Sequence, residues 1–153
     1  MVTLMIWTEI AAELTWDGAW RDIYVVGTTL RDWQRVLDSL HANNPKTVAF
    51  NVDGEETSFP PSAEVIFERR QEAATLLQVT VGNMHLNCHF FCQDEIEFDL
   101  DPRELQGEED LDALAGFMSI LANETGKPAI LTHENTQKAV ILTVPPLVPT
   151  SRA

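Results

Sequence analysis

Apolar residues in this chain switch between strand spacing and helix spacing, and each switch marks an element. Val48, Phe50 and Val52 alternate with their neighbours up to Asp53-Gly54, which predicts a hairpin with Thr57 and Phe59 returning opposite Phe50 and Val48. Residues 76–81 predict a further strand, which Gly82-Asn83 turns into another beginning at Met84. Leu30, Trp33, Val36, Leu37 and Leu40 form one helical stripe behind a Thr29 cap, and Asn43-Asn44-Pro45 stops it. Pro60-Pro61-Ser62 introduces a short helix over about 63–72. The clearest helix spans 108–124, with Leu111, Leu114, Ala115, Met118, Leu121 and Ala122 on one face and Gly126 and Pro128 ending it. Residues 130–133 and 140–144 predict a last strand pair, and Pro145, Pro146 and Pro149 leave 147–153 as a tail.

The first segment supports two periods. Leu4, Ile6, Ile10, Ala12, Leu14 and Trp16 share strand parity, and Asp17-Gly18 predicts a hairpin that sets Ile10 opposite Val25, Ala12 opposite Ile23 and Glu13 opposite Asp22. Leu4, Trp7, Ile10 and Leu14 fit a helix almost as well. Together these elements predict an α+β fold: a largely antiparallel sheet built from consecutive hairpins, two or three α-helices packed on one face, and a single domain over 1–146.

Residues 84–112 stand out. As a strand, Met84, Leu86, Cys88, Phe90 and Cys92 face one way and His85, Asn87, His89, Phe91 and Gln93 the other. As a helix, His85, Cys88, His89 and Cys92 would share a stripe able to hold zinc. The unbroken alternation favours the strand. Strand positions four apart lie about 13 Å apart, too far for the two histidines to share a metal or for the two cysteines to pair. Gln93-Asp94 then predicts a tight turn into a second strand, with Ile96, Phe98 and Leu100 inward and Glu95, Glu97, Asp99 and Asp101 outward. Asp101-Pro102 reads as a helix start.

Charge makes this stretch more than structural. From Asp94 to Asp112 there are ten acids and one base, Arg103, so the segment holds −9 of the chain's −14. Glu108, Glu109, Asp110 and Asp112 have a structural purpose at a helix N-terminus, but the row of strand acids has none beyond solubility. A charge of −14 argues against nucleic acid or anionic membrane as a partner, and no apolar run is long enough to cross a bilayer. The first ten residues lack the basic region of a secretory signal, and the two poorly placed cysteines suit a reducing compartment, so a cytoplasmic location is expected.

No nucleophile elbow, phosphate loop or dinucleotide fingerprint occurs, and His133-Glu134 lacks the second histidine of a zinc-protease motif. A row of exposed acids also promises no split in pKa for acid–base work, so the chain reads as a binding module and not an enzyme, with no cofactor expected. The leading expectation is a cover for a basic protein partner. Glu95, Glu97, Asp99, Asp101 and Glu104 would supply charge, and Phe91 or Trp20 an apolar anchor. In size and charge the chain resembles the small acidic immunity proteins of bacterial toxin systems, which implies a toxin domain, such as a nuclease, as the partner. The alternatives are a homodimer paired through a sheet edge and a zinc-binding protein or metal-dependent enzyme using the histidine–cysteine set.

Overall fold

The structure is a computed structural model, and it describes residues 7–43, 47–60 and 62–147. Eight strands form one sheet: β1 (Arg21–Val26), β2 (Val48–Val52), β3 (Glu55–Thr57), β4 (Thr75–Val81), β5 (Met84–Cys88), β6 (Glu95–Leu100), β7 (Ala129–His133) and β8 (Val140–Val144). Every pairing is antiparallel, in the spatial order β3-β2-β4-β5-β6-β1-β7-β8. A one-turn helix α1 (Trp7–Ile10) opens the described chain, followed by α2 (Leu30–Asn43), α3 (Ala63–Arg70) and α4 (Glu108–Thr125). The α+β class and the antiparallel sheet agree with the hydrophobic pattern.

Alternation along the strands sorts the sheet into two unlike faces. Ile23, Val25, Phe50, Leu77, Val79, Met84, Leu86, Ile96, Phe98 and Leu131 are buried beside the apolar stripes of α2 and α4. Thr29 caps α2 through its hydroxyl, which accepts from the Asp32 N–H at 3.2 Å, while Asp32 accepts from the Thr29 N–H at 3.0 Å. Ser62 caps α3. Gly126, at φ 69, closes α4 in the left-handed conformation that favours glycine. Lys127 joins the ends of two helices by its 3.2 Å contact with Asp32. No helix of the described residues covers the opposite sheet face, and there the strands present polar and charged side chains.

The hairpin at Asp53-Gly54 forms, with both residues at positive φ (51 and 84) and Phe50 opposite Thr57, but β3 ends at Thr57, so Phe59 does not pair with Val48. The one at Asp17-Gly18 does not. Residues 7–14 are helical, Leu4 and Ile6 lie outside the described residues, and β1 pairs with β6 and β7. Arg21 explains the difference. It points to the buried side, is 1% exposed, and donates to the carbonyls of Glu13 (2.9 Å), Thr15 (3.0 Å), Ala19 (2.9 Å) and Trp20 (3.1 Å). The segment before β1 wraps around this guanidinium instead of laying a strand beside it. Asp17 contributes a 3.2 Å contact from an exposed position, and an exposed pair of this kind adds little.

Two further boundaries differ from expectation. β5 ends at Cys88 and not at Cys92, and β5 and β6 are joined by residues 89–94 and not by a tight turn at Gln93-Asp94. Phe90 causes this, because at φ 58 it turns the chain out of strand geometry. Its ring is buried against Trp33, Phe50 and Phe67, and that burial offsets the roughly 1–2 kcal/mol of left-handed backbone. Helix α3 stops at Arg70, short of the predicted end near 72. The stop at Asn44-Pro45, the residue Pro61 and the tail 148–153 lie outside the described residues.

Replacing Arg21 by Met should remove about 2–4 kcal/mol of unfolding free energy in urea, because four carbonyls lose a buried donor. Asp17→Asn should leave the urea midpoint where it is in the native chain. Equal losses in the two variants would show that the ion pair, and not the carbonyl cage, anchors the segment.

Candidate functional site

The uncovered sheet face holds an acidic cleft, and its floor follows from strand register. Asp22 on β1 stands opposite Asp99 on β6, and Asp99 stands opposite Asn87 on β5, which pairs with Gln78 on β4. Side chains continue this row: the Gln78 amide donates to Asn87 Oδ1 at 3.0 Å, and the Asn87 amide donates to Asp99 Oδ1 at 3.1 Å. One step along, Tyr24 stands opposite Glu97.

Two loops wall the cleft. Between β7 and β8 the chain folds onto the open face, so that the Asn135 N–H donates to Asp22 Oδ2 at 2.7 Å and the Gln137 amide donates to Glu95 at 2.8 Å. Across from it, residues 89–94 are pinned from below. The Gln93 carbonyl accepts from the Thr28 hydroxyl (2.7 Å) and the Trp33 indole (3.0 Å), the Asp94 carbonyl accepts from two backbone N–H groups, and Arg70 holds the His89 carbonyl at 3.1 Å. With Phe90 turned inward, His89 and Phe91 emerge on the open side as a stacked pair 5.2 Å apart. Phe91 is 57% exposed, and Trp20 stands across the mouth at 37%. The cleft encloses about 460 Å³, and no lysine or arginine among the described residues lines it.

Like charges face each other here with only His89, 3.6 Å from Asp99 Oδ2, as a counter-group among the described residues, and their crowding disfavours the ionised state. Glu97 is pushed up to about 7, first by burial and then by Asp22, Glu95 and Asp99. Burial likewise raises Asp99 and Asp22, although each accepts hydrogen bonds that pull the other way. Tyr24, with its hydroxyl donating to Asp22 at 3.1 Å, is raised by burial and by the acids around it. The acids on β6 are therefore not the uniform solvated row that their spacing suggests.

The residues singled out from sequence divide into two groups. Glu97, Asp99, Phe91 and Trp20 meet at this cleft, and Glu95 lies beside it in an adjoining depression with Tyr24 and Lys138. Asp101 and Glu104 do not join them. Asp101 caps the turn at Pro102–Glu104 and is gripped by Arg103 at 2.8 Å, which holds its carboxyl below the usual range. Glu104 receives the His85 N–H at 2.9 Å and pairs with its ring at 3.0 Å. Missed were Asp22, Asn87, Glu134 and Asn135. Asp22 was legible only as part of a local hairpin, and nothing local signals a partner 77 positions away, at Asp99.

The histidine–cysteine set does not converge. Cys88 is buried on the helix side of β5, while His85 is exposed and His89 turns toward Asp99, 3.6 Å away. Burial raises Cys88, and Cys92 is pushed up to about 11, so neither thiol is prepared as a nucleophile. Among the described residues no group of three or more His, Cys, Asp or Glu could hold a metal, and no helix is long and apolar enough to cross a membrane.

A carboxyl raised in the folded state binds its proton more tightly there than in the unfolded chain. Its effect is thus a loss of stability as pH rises from the unfolded value of about 4.5 through 7, with no loss below. Glu97→Gln should therefore add about 1 kcal/mol at pH 8, allowing for partial solvent screening, and almost nothing at pH 4.5. Urea unfolding across that range measures it, and a pH-independent difference would contradict the burdened carboxyl.

The chain matches no protein-family model, no curated protein and no solved structure.

Proposed function

We propose that this chain is a protein-binding module whose open sheet face covers a basic surface of a partner, most specifically as the immunity protein of a bacterial toxin. One observation carries the reading: Asp22 and Asp99 are set opposite each other at the centre of the sheet, with Glu97 beside them and no lysine or arginine among the described residues lining the cleft. Such an arrangement costs stability in the free chain and is relieved by an incoming cation. Proteins that capture a basic partner use this kind of charge to speed encounter and fix orientation. The exposed aromatics at the mouth add the apolar anchor that a charged rim lacks.

Pairing of two copies through a sheet edge has less support. At one edge, β3 is three exposed residues with two glutamates. At the other, β8 has a register shift beside Thr132 and is followed by Pro145-Pro146. Short charged strands, irregular register and proline are the devices that discourage edge pairing.

The test uses the native chain and a variant carrying Asp22→Asn, Glu97→Gln and Asp99→Asn as baits in lysate of the source organism, with retained proteins identified by mass spectrometry. A basic protein should be retained by the native chain, with an association rate that falls steeply between about 50 and 300 mM salt and is at least tenfold lower for the variant. If that protein is toxic, co-expression of the native chain and not the variant should restore growth. A partner bound equally by the two baits, with a rate indifferent to salt, would contradict the proposal.

A further inference from the structure

Three aromatic side chains stand exposed among the described residues, and two already have a guanidinium from the chain itself. Arg103 lies 3.8 Å from the centre of the Trp16 ring, and Arg70 lies 5.7 Å from the centre of Phe91. Trp20 lines the acidic cleft together with Phe91 and, unlike Phe91, has no cation over its ring among the described residues. The floor beneath it has acceptors to spare. Asp22 is 2% exposed and uses only Oδ2, for Tyr24 and Asn135, so Oδ1 has no hydrogen-bond partner among the described residues. Glu97 accepts no hydrogen bond from any described residue, and Asp99 has only Oδ1 filled, by Asn87, with His89 at 3.6 Å from Oδ2.

The geometry points to a single arginine of the partner as the occupant of this cleft, with its guanidinium laid on Trp20 and its N–H groups directed at Asp22, Glu97 and Asp99. The inference rests on the basic-partner reading and adds a specific side chain to it. A guanidinium is planar, stacks on an indole and forks between two carboxylates, whereas an ammonium is a compact, strongly hydrated point charge that does none of these well. The about 460 Å³ available lies within the range of side-chain and small-ligand pockets. Three acceptors on adjacent strands match the several donors of one guanidinium better than they match one ammonium.

The experiment is a titration of the ¹⁵N-labelled full chain with three blocked tripeptides, acetyl-Gly-X-Gly-amide, in which X is arginine, lysine or the neutral isostere citrulline. The indole N–H of Trp20, assigned with Trp20→Phe, is the reporter. The arginine peptide should move this signal saturably and bind at least threefold more tightly than the lysine peptide, while the citrulline peptide leaves it in place. Followed on the backbone N–H signals of Asp22, Glu97 and Asp99, Trp20→Ala should weaken the arginine peptide three- to tenfold and leave the lysine peptide within twofold, with the otherwise unchanged spectrum of the free variant as the check on folding. Equal binding of arginine and lysine, or arginine binding indifferent to Trp20→Ala, would overturn the arginine seat. If binding of both peptides were then lost in Glu97→Gln/Asp99→Asn, the acidic-face reading would survive without it. No response of Trp20 to any peptide would also overturn the seat, and the salt dependence of partner association would still decide the wider reading separately.

Discussion

The pairing of β1 with β6 at the centre of the sheet is the constraint on which the rest depends. Alternation sends Arg21 to one side and Asp22 to the other. On the buried side, Arg21 gathers the carbonyls of the preceding segment and fixes how the chain enters the sheet. On the open side, the same register sets Asp22 against Asp99 and Tyr24 against Glu97. A shift of one residue would exchange the faces and bury the acids among the helices, so the apolar residues Ile23, Val25, Ile96 and Phe98 hold the carboxylates where they are.

The two faces follow opposite rules. The helix side is apolar and nearly satisfied, with Thr75 Oγ1 on β4 a fully buried side-chain oxygen left without a partner. The open side keeps half-buried acids close together, and their burial raises three of them. Asp22 and Asp99 each hold neighbours, Asn135 with Tyr24 and Asn87 respectively, but Glu97 accepts no hydrogen bond from any described residue and has no such task. On the proposed reading as a binding face, the missing positive charge would arrive with the partner. Strain in the Phe90 backbone belongs to the same design, as it brings Phe91 out beside the acids while its neighbour's ring enters the core.

Local chemistry made most of the fold legible, and distance hid the rest. Asp53-Gly54 and Asp17-Gly18 are the same dipeptide with opposite outcomes. At the first, both residues take positive φ and the flanking strands pair. At the second only Gly18 does, and the Asp17 carboxylate is taken by the Ala19 N–H and Arg21. The true neighbours of β1 lie some seventy positions or more along the chain, beyond any turn signal. For the same reason Glu97, Asp99, Phe91 and Trp20 could be named from spacing and exposure, but Asp22 could not. Asp101 looked equivalent to the other strand acids because the rule of alternation does not register that a neighbouring arginine neutralises it.

Direct observation of the carboxyl groups tests the central claim, that this face holds acids under electrostatic burden in the absence of a partner. Side-chain ¹³C titration of the free chain, followed at Asp22, Glu97, Asp99 and Asp101, would do this in one series. Glu97 should titrate near 7, Asp22 and Asp99 above ordinary aspartates, and Asp101 below them. Titration of all four together near 4 would contradict the claim, and the open face would then be no more than a solvated surface.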